Sequence, residues 1–115
     1  MISPPGQGAG EEKRRSIRKR VLLNGMLAYD GGAFTVGCTI RDISETGARV
    51  SLPKGQFIPA HTYLLHMRNR IAYEAVKVWS RHPDVGLKFK RTYVLSEPLP
   101  PHLQFLPKLW IQSVR

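Results

Sequence analysis

Short apolar segments separated by turn-forming residues fill the chain from Val21 to Phe89, and this pattern restricts the fold more than any other feature of the sequence. In several of these segments, apolar residues alternate with small or polar ones. One segment has its apolar residues at Phe34, Val36, Cys38 and Ile40. A period of two is typical of a β-strand that buries one face. The pattern therefore predicts an all-β protein, with Cys38 in its core.

Six segments have the composition of strands and end at turn-forming residues. They cover residues 21–29, 34–41, 48–52, 63–67, 71–79 and 85–89. The turn between the first two, Asp30-Gly31-Gly32, suits a hairpin because Asp and Gly adopt positive φ readily. In a chain this small, antiparallel strands protect their edges best by closing into a barrel. The sequence therefore predicts a six-stranded antiparallel β-barrel.

The C-terminal segment has a helical period instead. Its apolar residues Leu103, Leu106, Trp110 and Val114 are spaced three or four apart. Pro107 interrupts this stripe, since a proline inside a helix removes a hydrogen-bond donor and crowds the preceding turn. We expect either a kinked helix or a short turn followed by a separate helix over about residues 107–113. The Leu and Trp side chains are expected to plug one end of the barrel.

The first ten residues, MISPPGQGAG, contain two prolines, three glycines and few apolar side chains. Such a segment cannot bury enough surface to order itself, so residues 1–12 are predicted to form a flexible tail. A chain of 115 residues is typical of one domain. We therefore expect a β-barrel domain over residues 13–97, including an arginine-rich arm at 13–20, and a helical segment over 98–115 that packs on the barrel.

The arginine-rich arm, Lys13 to Arg20, concentrates the positive charge of the chain. Eighteen Lys and Arg residues against eight Asp and Glu give a formal net charge of +10, and six of the eight arm positions are basic. This distribution predicts an anionic partner, such as a phosphate group, a nucleic acid or an acidic membrane surface. No basic amphipathic helix accompanies the arm, which disfavours the membrane surface.

Several function classes are disfavoured by what the sequence lacks. Cys38 is the only cysteine, so an intrachain disulfide and a cysteine-rich zinc site are excluded, and a reducing, cytoplasmic location is expected. The sequence has no apolar run of the ~20 residues that span a bilayer and no signal-peptide core. It has no catalytic motif, and its four histidines show no metal-ligand spacing. We therefore predict neither an enzyme nor a cofactor.

Two short motifs carry the candidate binding residues. The arm contains an R-x-x-x-R motif at Arg14 and Arg18. The turn after the second strand contains a D-x-S-x-x-G motif at Asp42, Ser44 and Gly47. Each motif alone has an ordinary structural explanation. A basic run is commonly solvated, while Asp and Ser often hydrogen-bond to the backbone of their own turn and glycine often supplies a positive φ.

Together, the two motifs resemble those of PilZ domains, which are bacterial receptors for cyclic di-GMP. The similarity extends from Lys13 to Phe89 and includes Val78-Trp79 and Gly86-Leu87-Lys88-Phe89. It implies that the chain binds cyclic di-GMP and relays the signal to an effector protein that controls motility, exopolysaccharide production or biofilm formation. Ordering of the arm when the ligand binds is the implied switch.

In the arm, the resemblance implies that arginine side chains bind the ligand. The two-pronged guanidinium groups of Arg14 and Arg18 match phosphate oxygens and the adjacent O6 and N7 acceptors of guanine. Arg15 is a third candidate, because its planar group can stack on a base. Arg15 and Arg20 could also frame an alternative register of the motif, in which Lys19 occupies an expected arginine position.

In the turn, the resemblance implies that three small or acidic residues bind the ligand. The Asp42 carboxylate can accept hydrogen bonds from guanine N1 and N2, and the Ser44 hydroxyl offers a compact polar contact. Gly47 allows a backbone geometry or an approach of the ligand that a Cβ would block.

Two other functions are possible. A basic β-barrel that binds single-stranded nucleic acid would stack bases on aromatic side chains such as Tyr29, Tyr63, Tyr73 and Trp79. Most of these residues occupy alternating strand positions, where core packing is the commoner role, so nucleic acid is the less favoured partner. A PilZ-like adaptor that binds only protein would not need Arg14 and Arg18.

Overall fold

The computed structural model describes residues 19–113, which form a six-stranded barrel and one short α-helix. The strands are β1 (Lys19–Tyr29), β2 (Phe34–Ile43), β3 (Gly47–Ser51), β4 (His61–His66), β5 (Ile71–Arg81) and β6 (Asp84–Val94). The helix, α1, spans Phe105–Ser113, and single turns of 3-10 helix cover Asp30–Gly32 and Pro101–Leu103. The predicted all-β class is confirmed. The predicted tail and most of the arm lie outside the described residues.

The strands close into a ring in the order β1-β2-β3-β6-β5-β4, and every neighbouring pair is antiparallel. β1 closes the ring because it pairs with β2 along most of its length and with β4 over Gly25 to Ala28. β5 and β6 pair from Ile71↔Val94 to Arg81↔Asp84, beyond their predicted ends. The extension of β6 includes the polar run Lys90-Arg91-Thr92, whose lack of an apolar period hid it from the prediction.

The hairpin between β1 and β2 turns through left-handed residues, as its composition predicts. The φ angles of Asp30, Gly31 and Gly32 are 54°, 63° and 93°. A Cβ on Gly32 would lie 2.7 Å from the ring of Phe105, so α1 packs directly on this turn.

Aliphatic side chains that point inward from the strands fill the barrel. Leu27, Ile40, Val50 and Leu64 are fully buried there. Ile58, from the loop between β3 and β4, joins the same cluster and is 5% exposed. The Lys77 Nζ holds this loop by donating to the Ile58 carbonyl at 2.8 Å. Ile58 thus closes the end of the barrel where β3 ends and β4 begins.

A second apolar cluster lies on the outside of the barrel, beneath α1. Its barrel side includes Ala28, Leu65 and Ala72, which alternate with the inward-facing residues of β1, β4 and β5. The fully buried Leu103 and Leu106 cover these residues. The expectation that the C-terminal side chains plug an end of the barrel is therefore wrong. They cover an outer face instead, because these strands are apolar on both sides.

α1 begins at Phe105, so Pro107 is its third residue. The first N–H groups of a helix have no intrahelical acceptor, so a proline at this position costs no hydrogen bond. A short turn followed by a separate helix is thus the correct one of the two expected arrangements, and the helix begins two residues earlier than predicted. Trp110 fixes the helix further, since its Nε1 donates to the Met67 carbonyl at 2.7 Å.

The residues of the predicted apolar stripe of β2 differ in burial. Cys38 packs against the barrel core, and burial raises the pKa of its thiol to about 12, so the thiol stays protonated. Phe34 belongs to the same predicted apolar stripe but is 53% exposed. It lies at the start of β2, where its ring stacks on Tyr29 with the centroids 5.4 Å apart.

Candidate functional site

The D-x-S-x-x-G motif forms the turn between β2 and β3, and we call residues 42–47 the motif turn. The Ser44 N–H donates to the Gly47 carbonyl at 2.8 Å, which closes the turn. The Ser44 hydroxyl accepts from the Thr46 N–H at 3.2 Å. Ser44 therefore has the turn-stabilising role that the simpler interpretation assigns to it. The structure brings Asp42, Ser44 and Gly47 together within this one turn.

A β-bulge determines the direction of the Asp42 side chain. In the pairing of β2 with β3, Ile40 faces Val50 and Asp42 faces Arg49, so Arg41 is an extra residue on β2. Ile40 and Val50 point into the barrel. In a regular strand without a bulge, Asp42 would share the inward face of Ile40, because residues two positions apart lie on the same face. The bulge moves the Asp42 carboxylate to the outer face, beside Arg49.

Arg49 joins two carboxylates on this outer face. Its Nε donates to Asp42 Oδ2 and its Nη1 donates to Asp84 Oδ2, both at 2.8 Å. The Ser51 hydroxyl donates to the other oxygen of Asp84 at 2.6 Å. The hydrogen bonds from Ser51 and Arg49 lower the pKa of the Asp84 carboxyl, so this group remains ionised well into the acidic range. The Asp42 side chain is only 10% exposed, against about 30% for its two partners in this network.

Gly47 is required by the barrel itself. Its φ is not positive, in contrast with Gly31, Gly32 and Gly55. A Cβ at Gly47 would overlap the carbonyl oxygen of Leu87 on the neighbouring strand β6. The positive-φ explanation is therefore wrong, and the glycine is needed for close approach of two backbones.

The register places a row of residues from five strands side by side across the outer face. Arg20 pairs with Asp42, Asp42 with Arg49, Arg49 with Gly86, and Gly86 with Trp79. Directly paired residues share one face of a sheet. A Cβ on Gly86 would overlap the indole of Trp79, so the missing side chain lets the indole lie across the strand. Trp79 remains 45% exposed.

Sequence patterns alone did not identify Arg49, Asp84 or Gly86 as parts of this face. The alternation around β3 was a usable signal for Arg49, since it places that residue opposite the buried Ala48 and Val50. Asp84 directly precedes the last predicted strand, and no local pattern links it to Arg49, which is 35 positions away.

The arm residues Arg14, Arg15 and Arg18 lie outside the described residues. The described chain begins with Lys19, which pairs with Ile43, followed by Arg20, which pairs with Asp42. The arm is thus covalently attached to the barrel beside the motif turn.

The aromatic residues considered for base stacking differ in their surroundings. Tyr73 packs on Phe89 with ring centroids 4.0 Å apart, against the barrel core. Tyr63 meets the ring of Phe105 edge-on at 5.7 Å. Tyr29 stacks on Phe34. All three tyrosines therefore have packing partners, and Trp79, at 45% exposed, is the most accessible of the four rings.

Within residues 19–113, no group of three His, Cys, Asp or Glu side chains is placed to hold a metal ion. None of the helices in that range has the length and apolar character needed to cross a membrane.

In a comparison with known families, the PilZ domain matches residues 12–94 of the chain. The match includes both motifs and all six strands, and the chain belongs to the PilZ domain family. Domains of this family are binding modules rather than enzymes. No curated protein matches the chain.

Proposed function

We propose that this PilZ domain is a cytoplasmic receptor for cyclic di-GMP, held between the arginine-rich arm and the motif turn. Family membership supports the class of ligand. The net charge of +10 suits a ligand with two phosphates. No cofactor is part of the proposal.

The pairing at the start of β1 is the observation that carries this proposal. Lys19 lies opposite Ile43 and Arg20 opposite Asp42, so the first two described residues, which directly follow the R-x-x-x-R motif in sequence, pair with the start of the D-x-S-x-x-G motif. Two motifs that are more than twenty positions apart in sequence can therefore reach one small ligand.

In this proposal the arm supplies the cations. Arg14 and Arg18 bind phosphate oxygens and the O6 and N7 edge of guanine through two-pronged hydrogen bonds. Arg15 stacks on a base. Lysine would be a poor replacement because a single ammonium group cannot form the same fork.

The motif turn supplies the acceptor and the space. The Asp42 carboxylate accepts from guanine N1 and N2, and its direction toward the outer face supports that role. Ser44 contributes its hydroxyl. Gly47 keeps β3 close to β6 and leaves its own position without a side chain.

Ordering of the arm is the proposed switch. Cyclic di-GMP would favour an arm that is docked on the barrel over one that is not, because only the docked arm contacts the ligand. The changed surface then binds an effector protein, with motility, exopolysaccharide production or biofilm formation as the output.

Calorimetric titration with cyclic di-GMP at two salt concentrations tests this function. We expect saturable binding by the parent chain and a loss of about tenfold or more in affinity for Arg14→Ala and Asp42→Ala, since each change removes charge-assisted hydrogen bonds. Lys54→Ala is the matched control. It also removes one positive charge, from the exposed loop after β3, at the end of that strand opposite the motif turn.

GMP and a single-stranded oligonucleotide serve as comparison ligands. Binding of the oligonucleotide alone, with a steep dependence on salt, would replace the proposed function with nucleic-acid binding. If none of the ligands gave measurable binding, an adaptor that binds only protein would be favoured.

A further inference from the structure

We propose that Arg49 is a positioning residue for guanine recognition: it holds the Asp42 carboxylate in one orientation and is itself held by Asp84. This inference rests on the proposed binding of cyclic di-GMP. It adds a residue outside the two sequence motifs, and it assigns Arg49 a part in base specificity, through Asp42, rather than in phosphate attraction.

The geometry fixes Arg49 at two points. One guanidinium uses two different nitrogens, Nε toward Asp42 and Nη1 toward Asp84, with both distances at 2.8 Å. The Ser51 hydroxyl holds Asp84 in turn, at 2.6 Å. Because β2, β3 and β6 each contribute a member, the orientation of Asp42 depends on the relative placement of three strands.

Such a network orients a carboxylate better than a single surface ion pair can. An isolated exposed pair loses side-chain entropy and is weakened by water. Here the Asp42 side chain is 10% exposed, and the rigid fork of Arg49 is already immobilised by Asp84. A lysine at position 49 would keep the charge but could not bridge both carboxylates through separate, fixed nitrogens.

The orientation matters for guanine in particular. Guanine presents two neighbouring donors, N1–H and N2–H, and a carboxylate matches them only when its plane faces that edge. Each carboxylate oxygen can accept more than one hydrogen bond, so the bond from Arg49 to Oδ2 is compatible with acceptance from the base. Adenine lacks this pair of donors. Loss of Arg49 should therefore weaken the binding of a guanine ligand more than the binding of an adenine ligand.

The test compares dissociation constants for cyclic di-GMP and cyclic di-AMP in the parent chain, Arg49→Lys and Asp84→Asn. We expect cyclic di-GMP to bind about tenfold more weakly to Arg49→Lys, which is typical for residues that orient a ligand-binding side chain. The dissociation constant of cyclic di-AMP should change little. Asp84→Asn should also weaken the binding of cyclic di-GMP relative to that of cyclic di-AMP, but by a smaller factor than Arg49→Lys.

Arg91→Lys is the matched control. Arg91 also pairs with a carboxylate, that of Glu74, but at 3.7 Å and with a side chain that is 73% exposed. We expect this variant to bind both dinucleotides as the parent does. Circular dichroism and thermal unfolding check that every variant is folded, and Asp84→Asn provides the same test without altering Arg49 should Arg49→Lys fail to fold.

The outcomes separate this inference from the proposed function. A parent that binds neither dinucleotide contradicts the proposed function, and the role of Arg49 falls with it. A parent that prefers cyclic di-GMP, with an Arg49→Lys variant of equal preference, overturns this inference alone. Equal weakening of both ligands also overturns it, since that result assigns Arg49 a general electrostatic effect.

Discussion

Two outer faces of the same barrel have opposite characters. The face over β1, β4 and β5 is apolar and lies beneath α1, where Leu103 and Leu106 are fully buried. The face over β2, β3 and β6 lies on the side of the motif turn and contains the network of Asp42, Arg49 and Asp84. On both faces, the outward-pointing residues alternate along the strands with residues that point into the barrel core. The two faces therefore arise from the same strand geometry.

The difference lies in what each face can contribute. An apolar face stabilises the fold in proportion to the area it buries, with little dependence on exact direction. Partly exposed ion pairs add little stability but hold side chains in defined directions. We therefore expect substitutions under α1 to affect mainly unfolding, and substitutions around Arg49 to affect mainly the geometry of binding.

The largest effect is expected from Leu106→Ala, on the apolar face. Leu106 is 0% exposed, so its truncation removes buried apolar area and leaves a cavity. The free energy of unfolding, measured by urea denaturation, should fall by roughly 2–5 kcal/mol. Ile111→Ala in the same helix is the control, since Ile111 is 51% exposed and its loss should have a much smaller effect. Equal losses in the two variants would contradict the burial of this helix face.

A smaller loss is expected from Gly47→Ala, on the polar face. The added Cβ would overlap the Leu87 carbonyl, and the two strands can separate only by straining their pairing. We expect a loss of about 1–3 kcal/mol in the free energy of unfolding. Gly37→Ala is the matched control in β2, because a Cβ there meets nothing within 4 Å. If urea denaturation gives both variants the same free energy of unfolding, backbone crowding is not the reason for glycine at position 47.

Gly86→Ala should have a weaker effect on stability and a clear effect on Trp79. The new Cβ would overlap the indole of Trp79. A side chain can rotate away more easily than the Leu87 backbone at Gly47 can move. We expect the fluorescence of Trp79 to shift to longer wavelength as the ring becomes more hydrated, with a cost of about 1 kcal/mol or less. The measurement uses a Trp110→Phe background, so that only Trp79 contributes. An unchanged spectrum would show that Gly86 does not determine the position of the ring.

Acid should distinguish the contributions of His66 and Asp84 to stability by the pH at which each is lost. Burial lowers the pKa of His66, which is 3% exposed, below its ordinary value of 6.5. The unfolded chain then takes up a proton first, so stability falls as the pH drops below about 6.5 toward the folded pKa. The pKa of Asp84 is also lowered, chiefly by the hydrogen bond from Ser51, and its stabilising contribution is lost only as the pH falls below the ordinary value of 3.8.

Urea denaturation at a series of pH values measures both effects. His66→Gln should flatten the change below pH 6.5, whereas His82→Gln, at an exposed position, should leave it unchanged. Asp84→Asn should alter only the more acidic window. A parent chain whose stability is constant from pH 7 to pH 5 would contradict the assignment to His66.

Much of the architecture follows from local patterns. Alternation in β2 and β3, and the Asp30-Gly31-Gly32 turn, were sufficient to predict antiparallel strands. The ends of β6 and the location of α1 were not predictable in the same way. Arg91 and Thr92 belong to a strand only because Glu74 and Tyr73 of β5 pair with them, and Lys90 is the extra residue of a β-bulge. The helix covers an outer face because three strands present apolar residues there together.

Only part of the candidate site was visible in the chain itself. The motif turn could be located from its composition, and Ser44 has the local hydrogen bonds that such turns commonly contain. Whether Arg14, Arg15 and Arg18 bind the ligand stays a prediction, since they lie outside the described residues. The outward direction of Asp42 could not be predicted, because one bulged residue, Arg41, reverses the alternation.

Short-range chemistry was thus enough to establish strands, turns and a charged arm, since each depends on residues a few positions apart. The network of Asp42, Arg49 and Asp84 depends instead on the register of β2, β3 and β6. Arg49 and Asp84 are 35 positions apart, and they meet at 2.8 Å only after the ring has closed. A contact of this kind exists through pairing between strands, and for that reason only the folded barrel could reveal it.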